Sequence, residues 1–423
     1  MAAREQIGQK IQIANVIIFC VLLFVGGIAS LAMRKTAVSE MENRKLAAFP
    51  QYSDSTLLSG EYFKQIELYY ADNFPMRDRW INVSNKFRDR LGFEYGDIKI
   101  YEPVNETDAS NPSDTAKQTL ASILPDNGET GEVKKKLFVF KNRAFEMFGC
   151  GPQMGKAYAD VINSYNRAGI PNLQVYNLVI PVALEFELTE KYRSLQKPNR
   201  PAIENVYSHL DSNIKRVWAI DEMRKHREEY IYFNTDHHWT SLGAYYAYRS
   251  FCETAGLPPV SLDTVAFKVK PAFLGSLYRL TRDEKLKSNP DSVIYYLFKD
   301  SLNFYIGNNT KPGAWSRSKM YGEGAKGSNS YSVFLQGDLP VVKMETQHKN
   351  GRKILMVKES YGNAFAPFLV NNYEKVIVVD QRYFTANLVD LIKQEGINEL
   401  LFINNIFAAH TAFHIDKIKG LKK

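Results

Sequence analysis

From residue 137 onward the chain alternates short, largely apolar runs with stretches of helical periodicity. Leu137–Phe140, Gln174–Ile180, Val217–Ile220, Ile354–Val357, Val376–Val379 and Leu400–Ile403 have strand length and carry few polar residues. Met154–Ala168, Ala364–Asn371 and Leu388–Glu395 place apolar residues at helical spacing, the first closed by Gly169 and Pro171. Strands apolar on both faces, separated by helices, predict a mostly parallel sheet in a three-layer α/β/α sandwich. Residues 257–350, rich in Tyr, Phe, Gly and Pro, predict irregular or antiparallel additions. A further apolar run, Ile231–Phe233, reads as a strand leading into a helix over Leu242–Cys252.

The N-terminal pattern differs. No charged residue occurs from Ile13 to Met33, about the 20 residues needed to cross a bilayer. Arg4 and Lys10 precede the run and Arg34 and Lys35 follow it, so the charge rule nearly cancels. A cleavable signal peptide, with Ser30 and Ala32 at the cut, competes with an uncleaved anchor. The length of the run favours the anchor, and either reading places the main domain outside the cytoplasm. The expected organisation is a cytoplasmic end (1–12), a transmembrane signal anchor (13–33) and a helical stem packing on the domain (34–100). The α/β domain (101–423) follows, interrupted by a polar, breaker-rich insertion at 104–136.

Composition narrows the partners. At 423 residues, 45% hydrophobic and 24% charged, the chain is ordinary for a globular protein. Its 54 Lys+Arg against 46 Asp+Glu give +8, which suits an anionic polymer or a headgroup surface. No dense basic block interleaved with aromatics is present, which argues against nucleic acid. The three cysteines, Cys20, Cys150 and Cys252, contain no C-x-x-C pair, so a structural zinc site is not expected. Cys150 and Cys252 either form a disulfide or remain separate buried thiols.

The candidate chemistry lies in Asp236-His237-His238-Trp239 and in Ser360. Asp236 can fix one nitrogen of His238 while the other acts as a base. Ser360 follows the Ile354–Val357 run and precedes a helical stretch, the placement of an exposed nucleophile, although capping that helix would also explain it. Together they form a Ser-His-Asp set in which Ser360 attacks an acyl carbonyl, His238 takes the proton and Asp236 orients the imidazole. The N–H groups of Tyr361, Gly362 and Asn363, or the Asn363 amide, are the expected oxyanion donors. In an extended segment His237 points away from His238 and is structural or touches substrate. Trp239 either stacks on a sugar ring or packs in the core, and Arg382 either orients a carboxylate or pairs with Asp380. Asp236, His237 and His238 are also three ligand types, but adjacent residues seldom reach one ion and no H-x-x-x-H supports them. No metal and no cofactor is expected.

Asp236-His-His-Trp-Thr-Ser-Leu-Gly-Ala-Tyr-Tyr-Ala-Tyr248 resembles the signature of the bacterial DHHW family, which is similar to the SGNH-hydrolase-like proteins that O-acetylate alginate and related exopolysaccharides. The resemblance extends to Glu42-Asn-Arg44, Gly60, Asp72-Asn-Phe-Pro-Met-Arg77, the strand ending at Pro181, Phe273-Leu-Gly-Ser-Leu-Tyr278, the Ser360 segment and Asp380-Gln-Arg-Tyr-Phe384. It implies an SGNH-like fold and a membrane-anchored, extracytoplasmic serine O-acetyltransferase acting on a surface polysaccharide. It implies the same three residues as the triad, and a membrane-bound O-acyltransferase partner supplying acetyl groups. A carbohydrate acetylesterase and a non-catalytic glycan-binding or assembly subunit are the alternatives. Two departures stand out. The nucleophile is preceded by Lys358-Glu359 where the family has Gly-Asp or Lys-Asp, and the Gly-x-Asn-Asp element has only Gln336-Gly-Asp338 and Asn404-Asn405 as approximate counterparts.

Overall fold

The computed structural model describes residues 14–21, 24–25, 38–39, 44–77, 79–80, 83–84, 98–101, 137–140, 142–187, 197–298, 302–309 and 313–422. The chain divides into two compact units, one formed by residues 1–92 with 105–112, the other by 93–104 with 113–423. No helix among the described residues is long and apolar enough to cross a membrane. Of the run at 13–33 only 14–21 and 24–25 are described, and the 104–136 insertion lies outside the described residues.

The first unit is built on the helix Glu61–Asp72, preceded by the short helix Asp54–Leu58. The main-chain N–H of Ala47 donates to Asp72 at 2.8 Å and Asn73 Nδ2 donates to the Ala47 carbonyl at 3.0 Å, tying the entering chain to the end of the longer helix. Phe49 packs edge-on against Tyr69 at 5.1 Å.

The second unit is organised by an eight-stranded sheet. Its strands are β1 (Gln174–Ile180), β2 (Lys215–Val217), β3 (Asn303–Gly307), β4 (Trp315–Ser318), β5 (Val341–Glu345), β6 (Lys353–Lys358), β7 (Lys375–Asp380) and β8 (Glu399–Asn405). Their order is β4-β3-β5-β7-β6-β8-β1-β2. The run from β7 to β2 is parallel, and β5, β3 and β4 add antiparallel pairs at one edge. The inner parallel strands β1, β6, β7 and β8 are buried almost throughout because both faces are covered. Alternation divides them between two cores. Ile354, Met356, Val376 and Val378 face one side, where they meet the helices Ser241–Ala255 and Gly362–Leu369. Leu355, Val357, Ile377 and Val379 face the other, against Pro152–Asn166, Asn199–Ser208, Leu388–Glu395 and Ala412–Gly420. The sheet is therefore the middle layer of three, as its apolar runs require.

Two expected strands differ. Pairing at 217–220 stops at Val217, and Ile220 belongs to the helix Ala219–Lys225, because its apolar pair Ile220/Met223 has helical spacing. Ile231–Phe233 makes no ladder. Only Tyr232 bridges, to Trp239, and the three side chains are buried because the loop itself enters the core. The motif is thus mounted on a loop beside the sheet and not at the end of one of its strands. Cys150 and Cys252 are not joined in a disulfide, and burial pushes the two thiols up, to about 11 and about 12.

Candidate active site

β6 is central, flanked by β7 and β8, and ends at Lys358 in register with Asp380 and Ile403. Ligands of open α/β sheets gather at such carboxyl ends. The chain turns through Glu359, Ser360 and Tyr361 and enters the helix Gly362–Leu369. Gly362 is required by close approach: a Cβ there would lie 2.5 Å from Lys358 Cβ.

The opposing wall is the 231–240 loop. Phe233 N donates to the His238 carbonyl at 3.3 Å and Thr240 N to the Ile231 carbonyl at 3.0 Å, which closes the loop. Asp291 fastens its tip, accepting from Asn234 N (2.8 Å), Thr235 N (2.7 Å) and Thr235 Oγ1 (2.5 Å). Gly275 lies so close to Asp236 that any Cβ would overlap it. The next residue, Ser276, opens the helix Ser276–Thr281 and donates its N–H to Asp236 Oδ2 at 2.8 Å.

These supports bring three groups into line. His238 Nδ1 lies 2.6 Å from Asp236 Oδ1, and His238 Nε2 lies 2.8 Å from Ser360 Oγ. Tyr331 stacks on the imidazole at 3.9 Å and 9°, and its hydroxyl donates to the Ser360 carbonyl at 3.1 Å. Burial pushes the Asp236 carboxyl up, but the His238 and His237 imidazoles and the hydrogen bonds from His238 and Ser276 outweigh it. They hold Asp236 well below the carboxylate range. An ionised Asp236 accepts from Nδ1–H, leaving Nε2 with a lone pair directed at the serine.

Two crossed hydrogen bonds bind the walls. Trp239 Nε1 donates to the Tyr361 carbonyl at 2.9 Å, and the Tyr361 hydroxyl donates to the His237 carbonyl. Each side chain grips the other segment's backbone, so the His238–Ser360 distance is set by residues beside both. This use of Trp239 excludes the sugar platform: the indole is 0% exposed and lies parallel to Phe365. His237 also departs from expectation. The loop is curved, so its ring lies 3.8 Å from that of His238, with Nδ1 2.5 Å from Ser276 Oγ. The same curvature gathers ligand atoms of Asp236, His237 and His238 within 4.8 Å of one another, which adjacent positions on an extended strand would not allow.

The expected oxyanion donors are engaged elsewhere. Tyr361 N donates to Glu359 Oε2 at 3.0 Å, Gly362 N to the Glu359 carbonyl at 3.0 Å and Asn363 N to the Ser360 carbonyl at 3.1 Å. Asn363 Nδ2 donates to Asp338 at 2.8 Å. Glu359, preceding the nucleophile, is a buried staple, since its other oxygen accepts from Asn405 N at 2.9 Å. Burial pushes its carboxyl up, against the Tyr361 N–H, Arg382 and the Asn405 N–H. The Ser360 N–H and Asn405 Nδ2 have no acceptor among the described residues. Asn405 ends β8 beside the turn, a position visible in the sequence only as the second residue of Asn404-Asn405.

Arg382 is spent on structure. It grips Asp380 through Nε–Oδ1 (2.9 Å) and Nη2–Oδ2 (2.7 Å) and reaches Asp338 at 2.9 Å, while Lys358 meets Asp380 at 2.6 Å. Two cations and two anions balance beneath the nucleophile turn, which leaves the guanidinium committed to internal carboxylates.

A family model described as DHHW protein matches residues 42–117 and 94–379. Among solved structures, a DHHW family protein from Eubacterium siraeum is 32% identical, covering 68% of this chain and 95% of that one, with a TM-score of 0.62. Bacillus cereus PatB1 with a sulfonyl adduct is 16% identical over 68% of this chain and 100% of that one, with a TM-score of 0.55. A second PatB1 structure is 18% identical, covering 66% and 98% of the two chains, also with a TM-score of 0.55. No curated protein matches the sequence.

Proposed function

The chain belongs to the DHHW family, and from that premise we propose that it is a serine O-acetyltransferase acting on a polysaccharide outside the cytoplasm. The observation that carries this reading is the unbroken line from Asp236 through His238 to Ser360, with spacings of 2.6 and 2.8 Å. Ser360 Oγ attacks the carbonyl of an acetyl donor as His238 Nε2 takes its proton, and Asp236 stabilises the resulting imidazolium. The Ser360 N–H and Asn405 Nδ2 are assigned to the oxyanion in place of Tyr361, Gly362 and Asn363. Collapse expels the donor's leaving group, protonated by His238, and leaves acetyl-Ser360. A sugar hydroxyl then gives its proton to His238 and attacks the acetyl carbonyl. The Oγ–acyl bond breaks and Ser360 recovers the proton. Water in the sugar's place makes the same site an acetylesterase.

On this reading the 13–33 segment anchors the site outside the cytoplasm, beside a membrane-bound O-acyltransferase that delivers acetyl groups. Removing residues 1–33 should release the protein from membranes.

The central test is mass spectrometry of the protein after brief exposure to an activated acetyl ester. An acetyl group on the Ser360 peptide, absent from Ser360→Ala, is expected, and a sulfonyl fluoride should compete for the same serine. A folded protein that acquires neither group on Ser360 removes the reading. Acetate release with and without added glycan separates transfer from hydrolysis. The convergence of Asp236, His237 and His238 favours one rival, metal-assisted hydrolysis, which predicts inactivation by chelators and restoration by a divalent ion.

A further inference from the structure

The helix Ser276–Thr281, whose first residue holds Asp236, carries two arginines at its other end. Arg279 makes a single side-chain hydrogen bond, from Nη1 to the Ser328 carbonyl at 3.2 Å. Arg282 is only 9% exposed, yet its guanidinium has no partner among the described residues and its Nη1 is a buried donor without an acceptor. Neither has a carboxylate within ion-pair distance among the described residues, unlike Arg382 with its two. A guanidinium N–H taken out of water without an acceptor is unfavourable, so such groups are normally matched. Arg282 also holds a left-handed backbone (φ 54°), disfavoured for a residue with a Cβ. Arg279 follows Ser276 by one helical turn, a rise of ~4.5 Å. Burial holds the Arg279 guanidinium below its ordinary value, the Arg282 charge adds to that and the Asp236 carboxylate opposes it.

We propose that Arg279 and Arg282 form an oxyanion subsite that binds a carboxylate or phosphate group on the acceptor glycan, with Arg279 one helical turn beyond the residue that holds Asp236. The inference rests on the reading of the site as a glycan O-acetyltransferase and narrows its acceptor to an anionic polymer. The chain's net charge of +8 accords with such a partner. The subsite would supply the missing acceptors and hold a sugar hydroxyl near Ser360 through a substituent that does not react.

The test is direct binding, independent of catalysis. Calorimetry on the intact protein would compare an oligogalacturonate, a phosphorylated gluco-oligosaccharide and a neutral gluco-oligosaccharide of equal length. An anionic probe should bind at least about tenfold tighter than the neutral one, the scale of one charge-assisted hydrogen bond, and lose that margin in high salt. The better anionic probe identifies the substituent. Arg279→Gln and Arg282→Gly should each erase most of the preference, the second without backbone penalty because glycine accepts φ 54°. Inorganic phosphate should compete with the anionic probe on the unaltered protein, a readout that survives if a variant fails to fold. Equal affinity for charged and neutral probes, undiminished binding in both folded variants, or no competition by phosphate overturns the proposal. Arginine-dependent binding with no acetylation of Ser360 would instead retain the subsite and remove the catalytic reading.

Discussion

The two walls of the candidate site are built by opposite means. The Ser360 turn is an extension of the sheet. β6 is hydrogen-bonded on both sides, and the serine stands where the strand must end. The 231–240 loop has no ladder behind it. Its shape comes from one buried carboxylate, Asp291, one close-packed glycine, Gly275, and the N–H groups of Asn234, Thr235 and Ser276. A nucleophile can therefore be placed by regular secondary structure, whereas its base is placed by a handful of specific contacts. The sheet wall should depend on general stability, and the loop wall should lose geometry before it loses fold.

Substitutions can break that contrast. Largest in effect are Ser360→Ala and His238→Ala, one on each wall. Either should reduce acetyl transfer about 10⁴-fold or more, and the double variant should be no worse, because the groups act as a unit. Additive losses in the transfer assay would show that they do not. Gly275→Ala comes next. The new methyl must displace Asp236, so turnover should fall about 10²-fold while the circular dichroism spectrum is kept. Its sheet-side counterpart, Gly362→Ala, presses on the Lys358 side chain and should chiefly cost stability, about 1–3 kcal/mol in denaturant titrations. If the two glycines exchange these phenotypes, the contrast is wrong.

Asp291→Asn should then cost about 1–3 kcal/mol, because an amide cannot accept from every donor at the loop tip, with a turnover loss larger than that stability change alone explains. The smallest effect is at His410, which belongs to neither wall. His410 is buried with Nδ1 bonded to the Ile406 carbonyl, and burial holds its pKa below the usual histidine value. The fold thus favours neutral His410. Its contribution is complete above about pH 6.5 and is lost as pH falls from there toward the depressed folded value, at no more than about 1.4 kcal/mol per pH unit. Unfolding titrations between pH 7 and pH 5 should show this slope, and His410→Gln should flatten it without altering the pH dependence of acetyl transfer.

The parallel core was legible because Ile354–Val357, Val376–Val379 and Leu400–Ile403 are apolar on both faces, a pattern that two covering layers demand. The antiparallel edge was legible only as a change in composition, since its half-exposed strands mix Tyr, Ser and Lys. Asp236, His238 and Ser360 could be named together, but their scaffold could not. Ile231–Phe233 looks like a strand because burial alone makes a segment apolar, whatever its backbone pairing. Trp239, His237 and Arg382 were ambiguous for the same reason: a large or charged side chain does not announce whether its partner is a ligand or the protein itself. The partners that decided them, Tyr361, Ser276 and the Asp380–Asp338 pair, lie up to 122 positions away. Arg279 and Arg282 gave no sequence signal, because a missing partner is visible only in three dimensions.

The indole that joins the walls has a further consequence. The chain contains four tryptophans, of which Trp239 is fully buried and bonded to the backbone beside the nucleophile, while Trp80 is 56% exposed. Trp239 should therefore supply the short-wavelength edge of the intrinsic fluorescence. Its emission colour reports whether the serine turn and the histidine loop are still fastened together, with no label added.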